Sequence, residues 1–200
     1  MKKTITGRKS TLNRKTAETD IKLTLNIDGS GKSDISSGIG FFDHMLTLFA
    51  KHGQLDLNIK CNGDLIVDGH HSVEDIGITL GKAFAEAIGD KAGIVRYGTF
   101  YVPMDEALAF VSLDISGRPY LVYDGGEMTP VVGDYDTELT EEFLRAFAFN
   151  AGITLHVKVC YGNNSHHKIE AIFKALGHAI REAVTVDSRI KGVLSTKGVL

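Results

Sequence analysis

Cysteine is scarce: the 200 residues hold only Cys61 and Cys160. Two thiols cannot build a disulfide framework, so a packed core has to hold the fold. Each follows an alternating, strand-like run, where it reads as a small apolar residue at a strand end. Unbridged thiols suit a reducing cytoplasm. Long apolar runs are missing, so no membrane span is expected. Met1-Lys2-Lys3-Thr4-Ile5 has no apolar core after its lysines, so no signal peptide is expected there. An excess of one charge is missing too. The formal net charge is -3, which gives no general pull toward nucleic acid or acidic membranes but leaves room for a local basic pocket. There is no low-complexity tract and no linker. The glycine-rich runs match neither the dinucleotide nor the P-loop spacing.

What is present suffices for a globular core: 43% of residues are hydrophobic and 24% are charged. The chain also repeats itself. His-His-x-x-Glu occurs as His70, His71, Glu74 and again as His166, His167, Glu170. On a helix turning about 100° per residue, the first histidine and the glutamate lie about 40° apart, with the second histidine about 60° to the other side. All three are therefore expected to fan out from one face. Nitrogen and oxygen donors without thiolate suit Mn, Fe or Zn.

The flanking segments repeat as well. Ile21, Leu23, Leu25 and Ile27 alternate as in a half-buried strand, and Asp28-Gly29-Ser30-Gly31 reads as a turn. Phe41 to Lys51 has helical spacing and stops at Gly53. Leu55, Leu57 and Ile59 alternate, and a helix carries His70 to about Ile88. In the second half, Val95–Val102, Ala107–Ile115 and Pro119–Tyr123 read as strands and Leu139–Asn150 as a helix. Alternation over Ile153–Val159 and a helix from about His166 to Val184 complete it. The expected fold is α+β, with duplicated βββαβα units over 1–92 and 93–200 in one compact, pseudo-twofold body. Each unit has a four-stranded sheet covered by two helices. Three strands of each sheet are expected as a meander, making the sheets antiparallel or mixed.

Duplication extends the donor set. His44 lies near the start of the first-half helix, and the matching second-half position is Glu142. If His44 is a ligand, Glu142 is expected to be one. His44, His70, His71, Glu74, Glu142, His166, His167 and Glu170 then make two four-ligand sites with room for substrate. His52, His156 and His178 lie outside the repeated frames and read as structural.

Several runs resemble the imidazoleglycerol-phosphate dehydratase family: Gly38-Ile39-Gly40-Phe41-Phe42-Asp43-His44-Met45-Leu46, Asp68-Gly69-His70-His71-Ser72-Val73-Glu74-Asp75, Asn164-Ser165-His166-His167, Phe173-Lys174-Ala175 and Ser195-Thr196-Lys197-Gly198. Arg14-Lys15-Thr16-Ala17-Glu18-Thr19 resembles the family's N-terminal motif. The resemblance implies a hydro-lyase of histidine biosynthesis with two Mn(II) per active site, although the donors alone also admit Fe or Zn. It further implies a cubic assembly of 24 subunits with sites where subunits meet. Many members carry His at the Glu142 position; glutamate is also a competent Mn ligand.

By the same resemblance, Arg96, Arg118, Lys174, Ser195 and Lys197 form the phosphate grip; a dianion prefers forked guanidinium contacts plus hydroxyl and backbone donors. Glu18 matches a substrate-contacting residue, and Asp75, which follows the first doublet motif, joins the candidate substrate set. The pair Asp105-Glu106, between two expected strands, reads equally as site or as solvated turn, and Asp105 joins the candidate substrate set. The implied reaction dehydrates imidazole glycerol phosphate to imidazole acetol phosphate. C2–H is not acidic and hydroxide leaves poorly, so loss of the ring N–H proton is the way in. A metal-stabilised imidazolate expels the C3 hydroxyl to give a diazafulvene, and a carboxylate then takes the C2 proton. Glu18 is the first candidate for that acid/base, with Glu74 and Glu170 as metal-held alternatives. The rivals are a dinuclear hydrolase of a phosphate ester and a non-catalytic metal-binding assembly.

Overall fold

The computed structural model describes residues 7–200, so the reading of Met1 to Ile5 lies outside the described residues. The first half runs β1 (Lys9–Lys15), β2 (Thr19–Asn26), β3 (Ser33–Ser36), α1 (Gly40–Gly53), β4 (Asp56–Gly63) and α2 (His70–Ile88). The second runs β5 (Tyr97–Met104), β6 (Ala107–Asp114), β7 (Tyr120–Asp124), β8 (Val131–Val132), β9 (Tyr135–Asp136), α3 (Leu139–Ala151), β10 (Thr154–Tyr161) and α4 (Ser165–Ala183). The sheet orders are β1-β2-β4-β3 and β5-β6-β10-β7, the same topology written twice. The small β8–β9 hairpin is an insertion of the second half, which the sequence reading missed.

Alternation explains the strands. Ile21, Leu23 and Leu25 of β2 and Leu57 and Ile59 of β4 point inward, as do Val111 and Leu113 of β6 and Leu155 and Val157 of β10. Cys61 and Cys160 are unpaired and half-buried near the ends of β4 and β10. The sheets are mixed, but the expected meander is not what makes them so. β1–β2 and β5–β6 are antiparallel hairpins, whereas β3 and β7 sit at the edge, parallel to β4 and β10. The reason is the helix that follows: a parallel neighbour requires a crossover, and α1 and α3 supply it.

The halves interlock through their helices. α2 lies on β1 and β2, and α4 lies on β5 and β6; across the middle, α1 packs on α4 and α2 on α3. The buried apolar side chains of both halves form one continuous core. Gly81 and Gly177 stand at the same distance after their histidine doublets and let these pairs approach. A Cβ at Gly81 would lie 2.6 Å from the Phe147 carbonyl oxygen, and one at Gly177 would lie 2.7 Å from that of Phe49. Among the described residues no helix is long and apolar enough to cross a membrane.

Candidate metal centre

α1 and α4 bring His44 against the second doublet. His44 Nε2 lies 3.6 Å and His166 Nε2 3.1 Å from Glu170 Oε2. One donor atom from each of the three falls within 4.8 Å of the others, the one such His/Cys/Asp/Glu group among the described residues. Glu170 is 9% exposed, and Lys174 Nζ sits 2.6 Å from its other oxygen. Burial pushes its carboxyl up, but the Lys174 ammonium and the two imidazoles outweigh that and hold it below the usual range. Two imidazoles and an ionised carboxylate suit a divalent cation and leave coordination positions free for a substrate.

The inserted hairpin props this cluster. Asp134 accepts hydrogen bonds from Gly40 N at 2.8 Å and Phe41 N at 3.2 Å, serving the N-terminus of α1. Tyr135 is fully buried against Phe41 and Phe42, and the Phe41 ring meets His166 edge-on at 5.0 Å. Asp134 was not among the candidates; an acidic residue beside a Gly in a short connection carries no sequence signal for capping a helix so far away.

The doublets split rather than fan out together. Both open their helices: Asn164 caps α4 by accepting from His166 N and His167 N, and Asp68 accepts from His70 N. The second histidine of each then turns aside. His71 Nδ1 lies 3.0 Å from Asp64 and its Nε2 3.6 Å from Glu18. His167 Nδ1 lies 2.7 Å from Glu106 and its Nε2 3.8 Å from Asp105. The carboxylate partners raise both imidazoles above the ordinary histidine value. Glu106 is pulled down to about 2 by His167 and the backbone N–H groups of Asn164 and Asn163. Asp64 was also missed; the Gly63-Asp64 pair reads as ordinary turn chemistry.

The other candidates fall as follows. His70 and Glu74 are half-buried at the start of α2, and Glu142 on α3 meets Arg145 at 3.2 Å. His44 and Glu142 do hold matching places, each the same distance before its helix's left-handed C-cap, Gln54 or Gly152. Asp75 is buried, accepting from Arg14 at 2.6 Å and from the Thr19 hydroxyl at 2.5 Å, which ties the β1–β2 hairpin and its Glu18 to α2. His52 and His178 pair at 3.1 Å, with Phe100 stacked on His178. His156 is exposed on β10.

A basic cavity of ≈ 770 Å³ lies elsewhere on the chain, lined by Arg96, Arg118, Ser195 and Lys197 with Arg189 and Lys191. Arg96 is largely spent: it forks onto Asp114 at 2.6 and 2.9 Å and donates to Leu194 O at 2.6 Å, fixing the tail. Arg118 is exposed, with its guanidinium at a loose 3.8 Å from Asp114. Lys174 does not line this cavity; its ammonium stays on Glu170.

A model of the family described as imidazoleglycerol-phosphate dehydratase matches residues 37–180. A protein of that name from Clostridium novyi (strain NT) is 64% identical over 196 residues, covering 98% of this chain and all of its own length. The crystal structure of the Staphylococcus aureus subsp. aureus N315 enzyme superposes with a TM-score of 0.82 at 46% identity, over 90% of this chain and 99% of its own. That of Pyrococcus furiosus, in complex with (S)-C348, gives 0.82 at 40% identity over 94% and 100%. The chain belongs to the imidazoleglycerol-phosphate dehydratase family. It catalyses the dehydration step of histidine biosynthesis as a hydro-lyase. The family is metal-dependent, and His44, His166 and Glu170 form a His/Glu group that could hold a metal ion. Its substrate carries an imidazole at one end and a phosphate at the other. In one copy of this dehydratase the donor cluster and the basic cavity share no lining residue.

Proposed function

We propose that the cluster of His44, His166 and Glu170 holds one of two Mn(II) ions per active site, and that His70, His71, Glu74, Glu142 and His167 complete the donor set. The observation that carries this is the trio itself, with its donor atoms within 4.8 Å of one another on two facing helices. Bound cations supply Lewis acidity to the azole nitrogens of the substrate. The protein does the rest. Arg118, Ser195 and Lys197 take the phosphate, Arg96 holds the tail that presents them, and Lys174 is the member of the grip beside the donor cluster. Glu18 moves protons. It is half-exposed at 51%, it lies 3.6 Å from His71 Nε2, and the anchored hairpin sets its place. Its carboxylate takes the C2 proton once the C3 hydroxyl has left, and the enol relaxes to the ketone. Asp105, at 3.8 Å from His167 Nε2, faces the same substrate from the second half.

A substrate that spans only a three-carbon chain between ring and phosphate, and must touch both the donor cluster and the basic cavity, is held between copies of the chain, which supports a homo-oligomer such as the 24-subunit assembly. The two free thiols fit a cytoplasmic enzyme. Elemental analysis of freshly purified protein together with its native mass tests the reading. Two Mn per chain in a large assembly is expected, with activity lost on chelation and restored by Mn(II). Full activity after exhaustive chelation overturns it.

A further inference from the structure

We propose that Asp64 and Glu106 are positioning residues that fix the ring tautomer of His71 and His167, leaving Nε2 of each as the nitrogen offered to a divalent cation. The inference rests on the metal-binding reading above and assigns a task to two carboxylates that it does not use.

The geometry is the same in both halves. Asp64 presents both oxygens to His71 Nδ1, at 3.1 and 3.0 Å. Glu106 presents one oxygen to His167 Nδ1 at 2.7 Å. An ionised carboxylate only accepts, so the hydrogen sits on Nδ1 and the lone pair on Nε2. The nearest acidic oxygens to those Nε2 atoms, on Glu18 at 3.6 Å and Asp105 at 3.8 Å, are too far for hydrogen bonds. Each Nε2 therefore keeps its lone pair for a divalent cation. Metal-bound imidazoles commonly have a carboxylate on the far nitrogen, which orients the ring and raises its basicity.

The source of each carboxylate argues that the contact is used and not merely inherited. Asp64 comes from the turn after β4, and the residue after β10, Gly162, has no side chain to offer. Glu106 comes from the β5–β6 hairpin. The residue at the same place in the β1–β2 hairpin is Glu18, which lies at the other nitrogen of its histidine. The two halves thus reach one arrangement from different elements. Glu106 does more: its second oxygen accepts from Asn163 N at 3.0 Å and Asn164 N at 2.8 Å, so it also fixes the cap of α4.

Mn(II) binding to the full-length assembled protein, read from the electron paramagnetic resonance signal of the free ion, tests this. Asp64→Ala and Glu106→Ala are expected to weaken one class of Mn(II) sites about 10–100-fold. Asp64→Asn keeps an oxygen to accept from Nδ1 and is expected to stay within a few-fold of wild type, a rescue that loss of a purely structural charge would not show. Unchanged affinity in both alanine variants, or an Asn variant as weak as the Ala one, overturns the proposal. Wild-type protein that takes up no Mn(II) overturns the parent reading, and this one with it. If Glu106→Ala fails to fold, the Asp64 pair decides alone.

Discussion

The two halves share a topology but differ in what they do with a duplicated glutamate. Glu18 and Glu106 are each the last loop residue before the second strand of a hairpin. Glu106 is tied down by His167 and two backbone N–H groups, and its carboxyl is pulled to about 2. A group that acidic and that constrained is a poor proton carrier. Among the described residues Glu18 accepts no comparable set of hydrogen bonds, and it lies 3.6 Å from Nε2 of its histidine. Under the proposed function, one copy of the motif holds a histidine in place and the other is kept to carry a proton, so that a symmetric fold serves an asymmetric substrate.

The sharpest way to break that contrast is to neutralise each glutamate in turn. Glu18→Gln is expected to lower kcat by about 10²–10⁴-fold with full metal content, because only the proton carrier is lost. Glu106→Ala, which removes the acceptor from His167 Nδ1 altogether, is expected to act mainly through weaker metal binding and to recover part of its rate in excess Mn(II). Single-turnover rates measured alongside metal analysis separate the two. A near-normal rate for Glu18→Gln at full metal would remove it from the chemistry.

The next test concerns what holds the halves together. Gly177 sits between α4 and α1, which carry the donor trio, and Gly81 sits between α2 and α3. Alanine at either must push backbone from backbone, at about 1–3 kcal/mol. Both variants are expected to lose similar stability in urea unfolding, while only Gly177→Ala also weakens Mn(II) binding by His44, His166 and Glu170. Equal metal affinity in the two would mean that the trio does not depend on this helix pair.

Much of this was legible from the chain. The alternation in β2, β4, β6 and β10 and the helical spacing around the doublets placed the elements, because their periods are set by burial on one face. The repeated frames matched His44 with Glu142. The edge positions of β3 and β7 were not legible: a four- or five-residue strand records its own period but not its neighbour. Nor was the crosswise pairing of helices, which joins His44 of one half to Glu170 of the other. Local spacing says which side chains leave a helix together and is silent on which helix they meet. Asp134 and Glu106 act through such long-range contacts, and Asp64 reaches His71 across a loop whose path the sequence does not show, so Asp64 and Asp134 read as turn residues and Glu106 equally as turn or site.

The smallest expected effect lies where the halves do not correspond. His52 and His178 bond at 3.1 Å between α1 and α4, and α2 has Lys82 where α4 has His178. Burial lowers both imidazoles, helped by Lys174, Arg181 and Lys51 around His52 and by His52 and Arg181 around His178, with Glu170 pulling His52 the other way. A lowered base binds fewer protons folded than unfolded, so stability rises with pH. The penalty is absent above the ordinary imidazole value of 6.5 and grows as pH falls below it. His178→Gln loses the hydrogen bond, about 1 kcal/mol or ~2–4 °C in Tm near pH 8. It also loses that penalty, so the gap between wild type and variant is expected to narrow from pH 8 to pH 5. Melting both proteins in chelator removes any bound metal, and taking their difference cancels the other histidines. A gap that stays constant across that range would mean that the pair is as easily protonated folded as unfolded.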